Sequence, residues 1–172
     1  AIYGPSTMLV LTLGDTVDGF TLDIASETFL LTHPNMTIPK SATEFATNMS
    51  RQMYWDTQTQ AYITDCLAGE AGPRGKAFNM RWTASMVADV HRILIRGGVF
   101  LYPVDAANRA EGGKLRLLYE AMPMAHLVET AGGAATNGKA PILDLQPKTH
   151  HQRTGLVLGA SDEVTRLAAA YT

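Results

Sequence analysis

The order of apolar and polar residues predicts three short strands, then helices alternating with strands. Met8 to Leu13 is an apolar run closed by Gly14-Asp15. Asp18 to Ile24 alternates polar with apolar, and Glu27 to Thr32 follows a short Ala-Ser turn. Strands divided by Gly/Asp and Ala/Ser turns fold back as antiparallel hairpins. His33-Pro34-Asn35 ends the third, because proline removes a ladder donor. Residues 34 to 56 lack periodicity and read as irregular.

Helical spacing starts after that. Thr57 to Cys66 forms a helix with Tyr62, Ile63 and Leu67 on one face, and Gly69 to Gly75 is a loop. Ser85 to Arg96 carries the clearest stripe: Met86, Val90 and Leu94 recur at i, i+4, with Val87 and Ile93 beside them. Gly97-Gly98 stops it, and Arg92 and Arg96 sit in its last turns, where cations suit the helix dipole. Val99 to Tyr102 is a strand ended by Pro103, and Asp105 to Gly113 is a loop.

Lys114 to Glu120 then needs a choice. A helix through residues 114 to 131 would bury Pro123 in its interior, at a cost of roughly 3 kcal/mol, whereas proline is welcome at a first helical position. The stretch therefore splits into a strand from Lys114 to Glu120 and a helix from Met122 to Thr130, capped by Gly132-Gly133. Ile142 to Leu145 and Gly155 to Gly159 read as strands. Ser161 reads as an N-cap, with Asp162 and Glu163 in the first turn of a last helix to Ala170. The expected fold is a single α/β domain over residues 1–172, a mixed β-sheet flanked by helices.

Composition changes this picture little. A chain of 172 residues suits one domain, and at this size roughly 70% of the unfolded surface is buried, enough for a core without metal or disulfide. The formal charge of −2 leaves no footprint for nucleic acid or an anionic membrane. A phosphorylated ligand would need a local cluster of cations. Cys66 is the one cysteine, which excludes an internal disulfide and a cysteine-built zinc site and fits a reducing compartment. No apolar run approaches the ~20 residues that cross a bilayer, and no basic-then-apolar leader opens the chain. A cytoplasmic protein is expected. The chain starts at Ala1 and enters a strand almost at once, so a segment cut from a longer protein is expected.

Two groups of residues could carry chemistry. In a strand, Lys114, Arg116, Leu118 and Glu120 share one face. Two cations suit a phosphate, and a carboxylate beside them suits a hard metal that bridges it. The same pattern also fits a solvated edge strand with Arg116 paired to Glu120. Arg81-Trp82 precedes the Ser85 helix; arginine beside an aromatic can hold a phosphate and cover a sugar face. A core tryptophan with a surface arginine fits equally well. The five histidines read as surface or structural groups, since His150 and His151 are adjacent and Asp89 and His91 do not share a helix face.

Longer segments are more specific. Ser85-Met-Val-Ala-Asp-Val-His-Arg92 with Gly97-Gly-Val-Phe-Leu-Tyr-Pro103, and Gly113-Lys-Leu-Arg-Leu-Leu-Tyr-Glu120 with Ala131-Gly-Gly133 and His151-Gln-Arg153, resemble the C-terminal half of class I fructose-1,6-bisphosphatase. The resemblance runs from about Tyr3-Gly4 to the end. It implies the C-terminal half of the sugar-phosphatase fold, and a homo-oligomeric parent (a homotetramer). That parent would hydrolyse the 1-phosphate of fructose 1,6-bisphosphate in gluconeogenesis or the Calvin cycle with magnesium. By the same resemblance Asn48, Tyr102 and Lys114 match holders of the 6-phosphate, and Arg81 matches an arginine reaching the 6-phosphate of a neighbouring subunit. Ser85 and Met86 match the stretch lining the sugar. Arg116 matches a group at the reacting phosphate, and Glu120 a metal ligand. Trp82 and Arg51 stand where tyrosines are usual, a pattern more bacterial than animal that leaves room for sedoheptulose 1,7-bisphosphate. The family's glutamate pair and its Asp-Pro-(Leu/Ile)-Asp-Gly-Ser-Ser run do not occur here. The chain alone is therefore expected to be inactive. The alternatives are a non-catalytic sugar-phosphate-binding module and an oligomerisation module.

Overall fold

A computed structural model describes residues 1–171. β1 (Met8–Thr12), β2 (Val17–Asp23) and β3 (Thr28–His33) form the expected antiparallel meander in that order. Its boundaries lie within one or two residues of those read from the alternation. Phe29, Leu30 and Leu31 are all exposed, so β3 has apolar side chains in solvent on both faces as well as a free edge.

The remaining elements build a three-layer unit. They are β4 (Glu44–Ala46), α1 (Thr57–Leu67), β5 (Asn79–Met80), α2 (Met86–Arg96), β6 (Val99–Tyr102), β7 (Leu115–Arg116), α3 (Met122–Thr130), β8 (Ala134–Thr136), β9 (Arg153–Thr154), β10 (Leu156–Gly159) and α4 (Ser161–Ala169). Five strands make one mixed sheet in the order β5-β4-β6-β10-β8; β4 is parallel to β5 and β6, while β10 is antiparallel to β6 and β8. β7 and β9 form a separate two-stranded antiparallel ribbon.

The strand period sorts the central residues onto two faces. Phe100, Leu156 and Leu158 pack on one side with Val90 and Ile93 of α2 and Ala125 and Val128 of α3. Val99, Leu101 and Val157 pack on the other with Tyr62 and Ile63 of α1 and Val164 and Leu167 of α4. Both faces of the sheet are therefore buried, which is why β6 and β10 read as continuous apolar runs. A mixed sheet flanked by helices is the fold expected from the sequence.

Four local readings change. The stretch 34–56 contains β4, paired with β5 and β6, and a 3₁₀ turn over Met49–Tyr54. Ile142–Asp144 is a 3₁₀ turn, not a strand. Ala160 takes the cap position and Ser161 starts α4. Most consequentially, Lys114 to Glu120 is not one strand. Only Leu115–Arg116 is extended, and Leu117–Ala121 is a π-helical turn that runs into α3. The physical cause is Pro123. An α-helix starting at residue 117 would drive the proline ring into the carbonyl four residues back, and the wider π turn relieves that clash. The Met122 N–H accordingly reaches back five residues to the Leu117 carbonyl. Two apolar side chains of the turn, Leu117 and Ala121, are buried in the core and hold it in place.

Candidate functional site

A cleft of about 300 Å³ opens where β6, the loop after it and the β7–β9 ribbon meet, lined among others by Arg51, Tyr102, Asp105, Glu111, Lys114 and Arg153. A small recess beside it shares Arg51, Tyr102 and Asp105 and adds Asn48. Asn48, Tyr102 and Lys114, which lie far apart in sequence, therefore line one continuous surface.

Each is placed by a different device. Asn48 caps the 3₁₀ turn, and its Oδ1 accepts from the Ser50 N–H at 3.2 Å and the Ser50 hydroxyl at 2.7 Å. Tyr102 ends β6 on the sheet face that carries Phe100, and Trp82 stacks on that face with its ring 6.0 Å from Phe100 and 6.2 Å from Tyr102. Lys114 follows Gly113, whose φ is +136°; a Cβ there would lie 2.3 Å from the Thr154 carbonyl carbon. Only glycine lets the two backbones come that close, and this contact starts the ribbon and delivers Lys114 to the cleft. Lys114 has no ion-pair partner among the described residues.

The loop wall is organised by Asp105, which is buried. One carboxylate oxygen accepts from the backbone N–H groups of Ala107 and Asn108 at 2.9 and 3.1 Å. The other accepts from Arg51 Nε and Nη2 at 2.9 and 2.8 Å. Arg51 also lies 4.4 Å over the Tyr54 ring. Its guanidinium thus sits at the cleft in a fixed orientation, with one edge already engaged.

The ribbon adds further positive charge. Arg116 of β7 stands directly opposite Arg153 of β9, and opposed residues of an antiparallel pair project from the same face. Like charges so placed repel each other unless anions intervene. Arg153 is balanced by an ion pair with Glu111, while Arg116 has no ion-pair partner among the described residues. Glu120 does not lie on the ribbon face with them, as a continuous strand would require. It sits on the π turn, and its Oε2 accepts the backbone N–H of Arg116 at 2.6 Å. The carboxylate closes the start of the helical turn, as in a capping box lengthened by one residue to fit the wider turn. The contact of Glu120 with Arg116 is thus to the backbone and not to the guanidinium.

Arg81, Ser85 and Met86 lie outside this cleft. Arg81 flanks β5 near Glu44, Ser85 is exposed at the cap of α2, and Met86 packs on the core. Ala84, just before Ser85, takes a left-handed φ of 60°, a conformation that costs a residue with a Cβ of order 1–3 kcal/mol and often marks a working loop. The link to the cleft is Trp82 against Tyr102.

A divalent metal fits this chain only in part. Magnesium asks for near-octahedral oxygen ligation, and no group of three or more potential ligands gathers among the described residues. Glu120 can supply one oxygen, the other being held by the Arg116 N–H. Arg153, Asp105 and Glu44 were not singled out from the sequence. Arg153 carried a usable signal, as the last residue of His151-Gln-Arg153; the two acids carried none, since burial of a carboxylate is set by partners distant in the chain.

No helix among the described residues is long and apolar enough to cross a membrane. A family model described as the C-terminal domain of fructose-1-6-bisphosphatase matches residues 38–172, so the β1–β3 meander falls outside it. A class 1 fructose-1,6-bisphosphatase of Methylobacillus flagellatus is 59% identical over 167 residues, which are 97% of this chain and 50% of that protein. Fructose-1,6-bisphosphatase of Leishmania major in its holo form superposes with a TM-score of 0.90 at 43% identity, over 98% of this chain and 51% of the other. Its T-state form gives 0.91 at 42% identity. The chain spans about half the length of the relatives it matches.

Proposed function

Because the chain belongs to the fructose-1,6-bisphosphatase C-terminal domain family, we propose that it is the substrate-side half of a sugar bisphosphatase that releases the 1-phosphate of fructose 1,6-bisphosphate. The observation that carries this is that Asn48, Tyr102 and Lys114 line one continuous surface, the cleft and the recess beside it, with Lys114 free of ion-pair partners among the described residues. In this reading Lys114 holds the distal 6-phosphate, helped by the Asn48 amide and the Tyr102 hydroxyl. Trp82 extends the wall along which the sugar lies, and Ser85 and Met86 continue it. Arg116, which has no ion-pair partner among the described residues, is the cation that meets the reacting phosphate.

The reaction needs a divalent metal, magnesium in this reading, to neutralise phosphoryl charge and activate water. Glu120 contributes one ligand, and the rest come from the half of the parent that this chain does not span. Arg81 serves a phosphate bound by a second copy, which makes the parent a homo-oligomer in the cytoplasm. Sedoheptulose 1,7-bisphosphate is the second substrate to try, because Arg51 and Trp82 replace the tyrosines expected near the distal phosphate.

The test is phosphate release from fructose 1,6-bisphosphate with magnesium. The intact parent should turn over and the 172-residue chain should not. Lys114→Ala in the parent should weaken fructose 6-phosphate binding by about 1.5–3 kcal/mol, the worth of a charge-assisted contact. Unchanged affinity by calorimetry would remove Lys114 from the site.

A further inference from the structure

At the edge of the sheet three arginines surround one buried carboxylate. Glu44 opens β4 and is only 7% exposed. Arg96 Nη2 donates to its Oε1 at 2.9 Å; Arg81 Nε lies 3.7 Å from that same oxygen, and Arg92 Nε lies 3.8 Å from Oε2. Asp89 adds a second acid, 3.6 Å from Arg92 Nη2. Three guanidinium groups thus face two carboxylates.

The backbone around Arg81 is fixed. Its N–H donates to the Phe45 carbonyl at 2.8 Å, which docks β5 on β4, and its own carbonyl accepts from Arg92 Nη1 at 2.9 Å. Its side chain is free by contrast, half exposed, with Glu44 as its one ion-pair partner among the described residues. At 3.7 Å that contact is longer than a hydrogen bond. On the inner side of the cluster, Glu44 Oε2, Asp89 Oδ1 and the Arg92 Nε and Nη2 atoms are buried without hydrogen-bond partners among the described residues, so these charges face each other at ion-pair distance only. Glu44 attracts Arg81 without capturing it, so the guanidinium keeps its donors for an anion while its direction is restricted.

We propose that Glu44 is the positioning residue for Arg81, pre-ordering that arginine for the phosphate it meets. This rests on the reading that Arg81 contacts substrate phosphate in the assembled parent. Without Glu44 the long side chain must be ordered on binding, and affinity falls while the reacting end is untouched.

The experiment compares KM and kcat for fructose 1,6-bisphosphate in the full-length parent. Variants are Glu44→Gln, Glu44→Asp, Arg81→Ala and each Glu44 change combined with Arg81→Ala. Glu44→Gln should raise KM roughly tenfold with kcat within about twofold, the order expected for losing the pre-ordering of one long side chain. Glu44→Asp keeps the charge balance of the cluster, and so the fold, but withdraws the carboxylate by one methylene; KM should rise about threefold or more. In the Arg81→Ala background neither change should move KM further. If the Gln variant fails to fold, the Asp variant decides. A KM that stays at the parent value in the folded variants overturns the role, as does a rise that persists without Arg81. A parent with no turnover at all instead overturns the bisphosphatase reading, and this role with it.

Discussion

Replacing Glu120 separates the cap that this side chain forms from the metal-ligand role proposed for it. Its Oε2 closes the helical turn by accepting the Arg116 N–H at 2.6 Å, and the carboxylate charge is the proposed contribution to a metal site. Glu120→Gln keeps an acceptor for the N–H but removes the charge, so a charge-assisted bond worth about 1.5–3 kcal/mol becomes a neutral one worth about 0.5–1.5. The loss is then roughly 1 kcal/mol, or about 2–4 °C in melting temperature at this chain length. Glu120→Ala loses the bond altogether and should melt about 3–12 °C lower. Turnover should follow a different order. Loss of even a group behind a metal ligand costs about 10–100-fold, so both variants should lose more than about 100-fold in magnesium-dependent phosphate release. The assays are thermal melting of the 172-residue chain by circular dichroism and a magnesium titration of phosphate release by the intact parent. A glutamine variant that keeps turnover within threefold would refute the metal role, and an alanine variant that melts like the unsubstituted chain would refute the cap.

Two further perturbations test the rest of the molecule. Arg74 and Glu163 are buried, with side chains 3% and 2% exposed and their charges 2.5 Å apart, and Tyr62 donates to the same carboxylate at 2.9 Å; Arg74→Ala leaves Glu163 without its closest cation and should cost about 3–5 kcal/mol in a urea unfolding curve. A loss under 1 kcal/mol would mean that Lys76, 3.5 Å away, compensates. His91 sits in an apolar recess with Val87, Leu94 and Leu127, its Nε2 buried without a hydrogen-bond partner among the described residues. Burial holds its pKa below the ordinary 6.5, with a smaller contribution from His33. The unfolded chain therefore binds the proton more readily, and the stability His91 contributes is present above pH 6.5 and lost as pH falls. Melting temperatures should drop below that pH, and His91→Leu should flatten the drop; an unchanged profile would show that His91 titrates normally.

Where apolar spacing is regular, the chain can be read directly. The meander, α1, α2, β6 and β10 follow from alternation, stripes and glycine stops. The readings that failed lie where geometry is set by distant partners. Glu44-Phe45-Ala46 has no alternation because all three side chains are buried, and only pairing with β5 and β6 makes it a strand. At Lys114 to Glu120 the proline argument correctly rejected a straight α-helix, but it missed the third option, a π turn that widens around Pro123. That changed the chemistry: Glu120 moved off the face of Arg116 and became its backbone cap. Resemblance to a family pointed to Asn48, Tyr102 and Lys114, yet nothing in their spacing shows that Asp105 anchors the wall they share, because that depends on turn N–H groups and an arginine more than fifty positions away.

The β1–β3 meander has a consequence for anyone weighing this chain in solution. Leu13 and Ile24 are 91% and 81% exposed, Phe29 to Leu31 stand in water on both faces of β3, and no strand among the described residues pairs with the outer edge of β3. Such an edge recruits other strands indiscriminately. Light scattering from concentrated samples would therefore register sticky, open-ended association, growing with concentration and salt, whatever the stoichiometry of the parent. Charged residues placed at Leu30 or Leu31 would quiet it without touching the cleft.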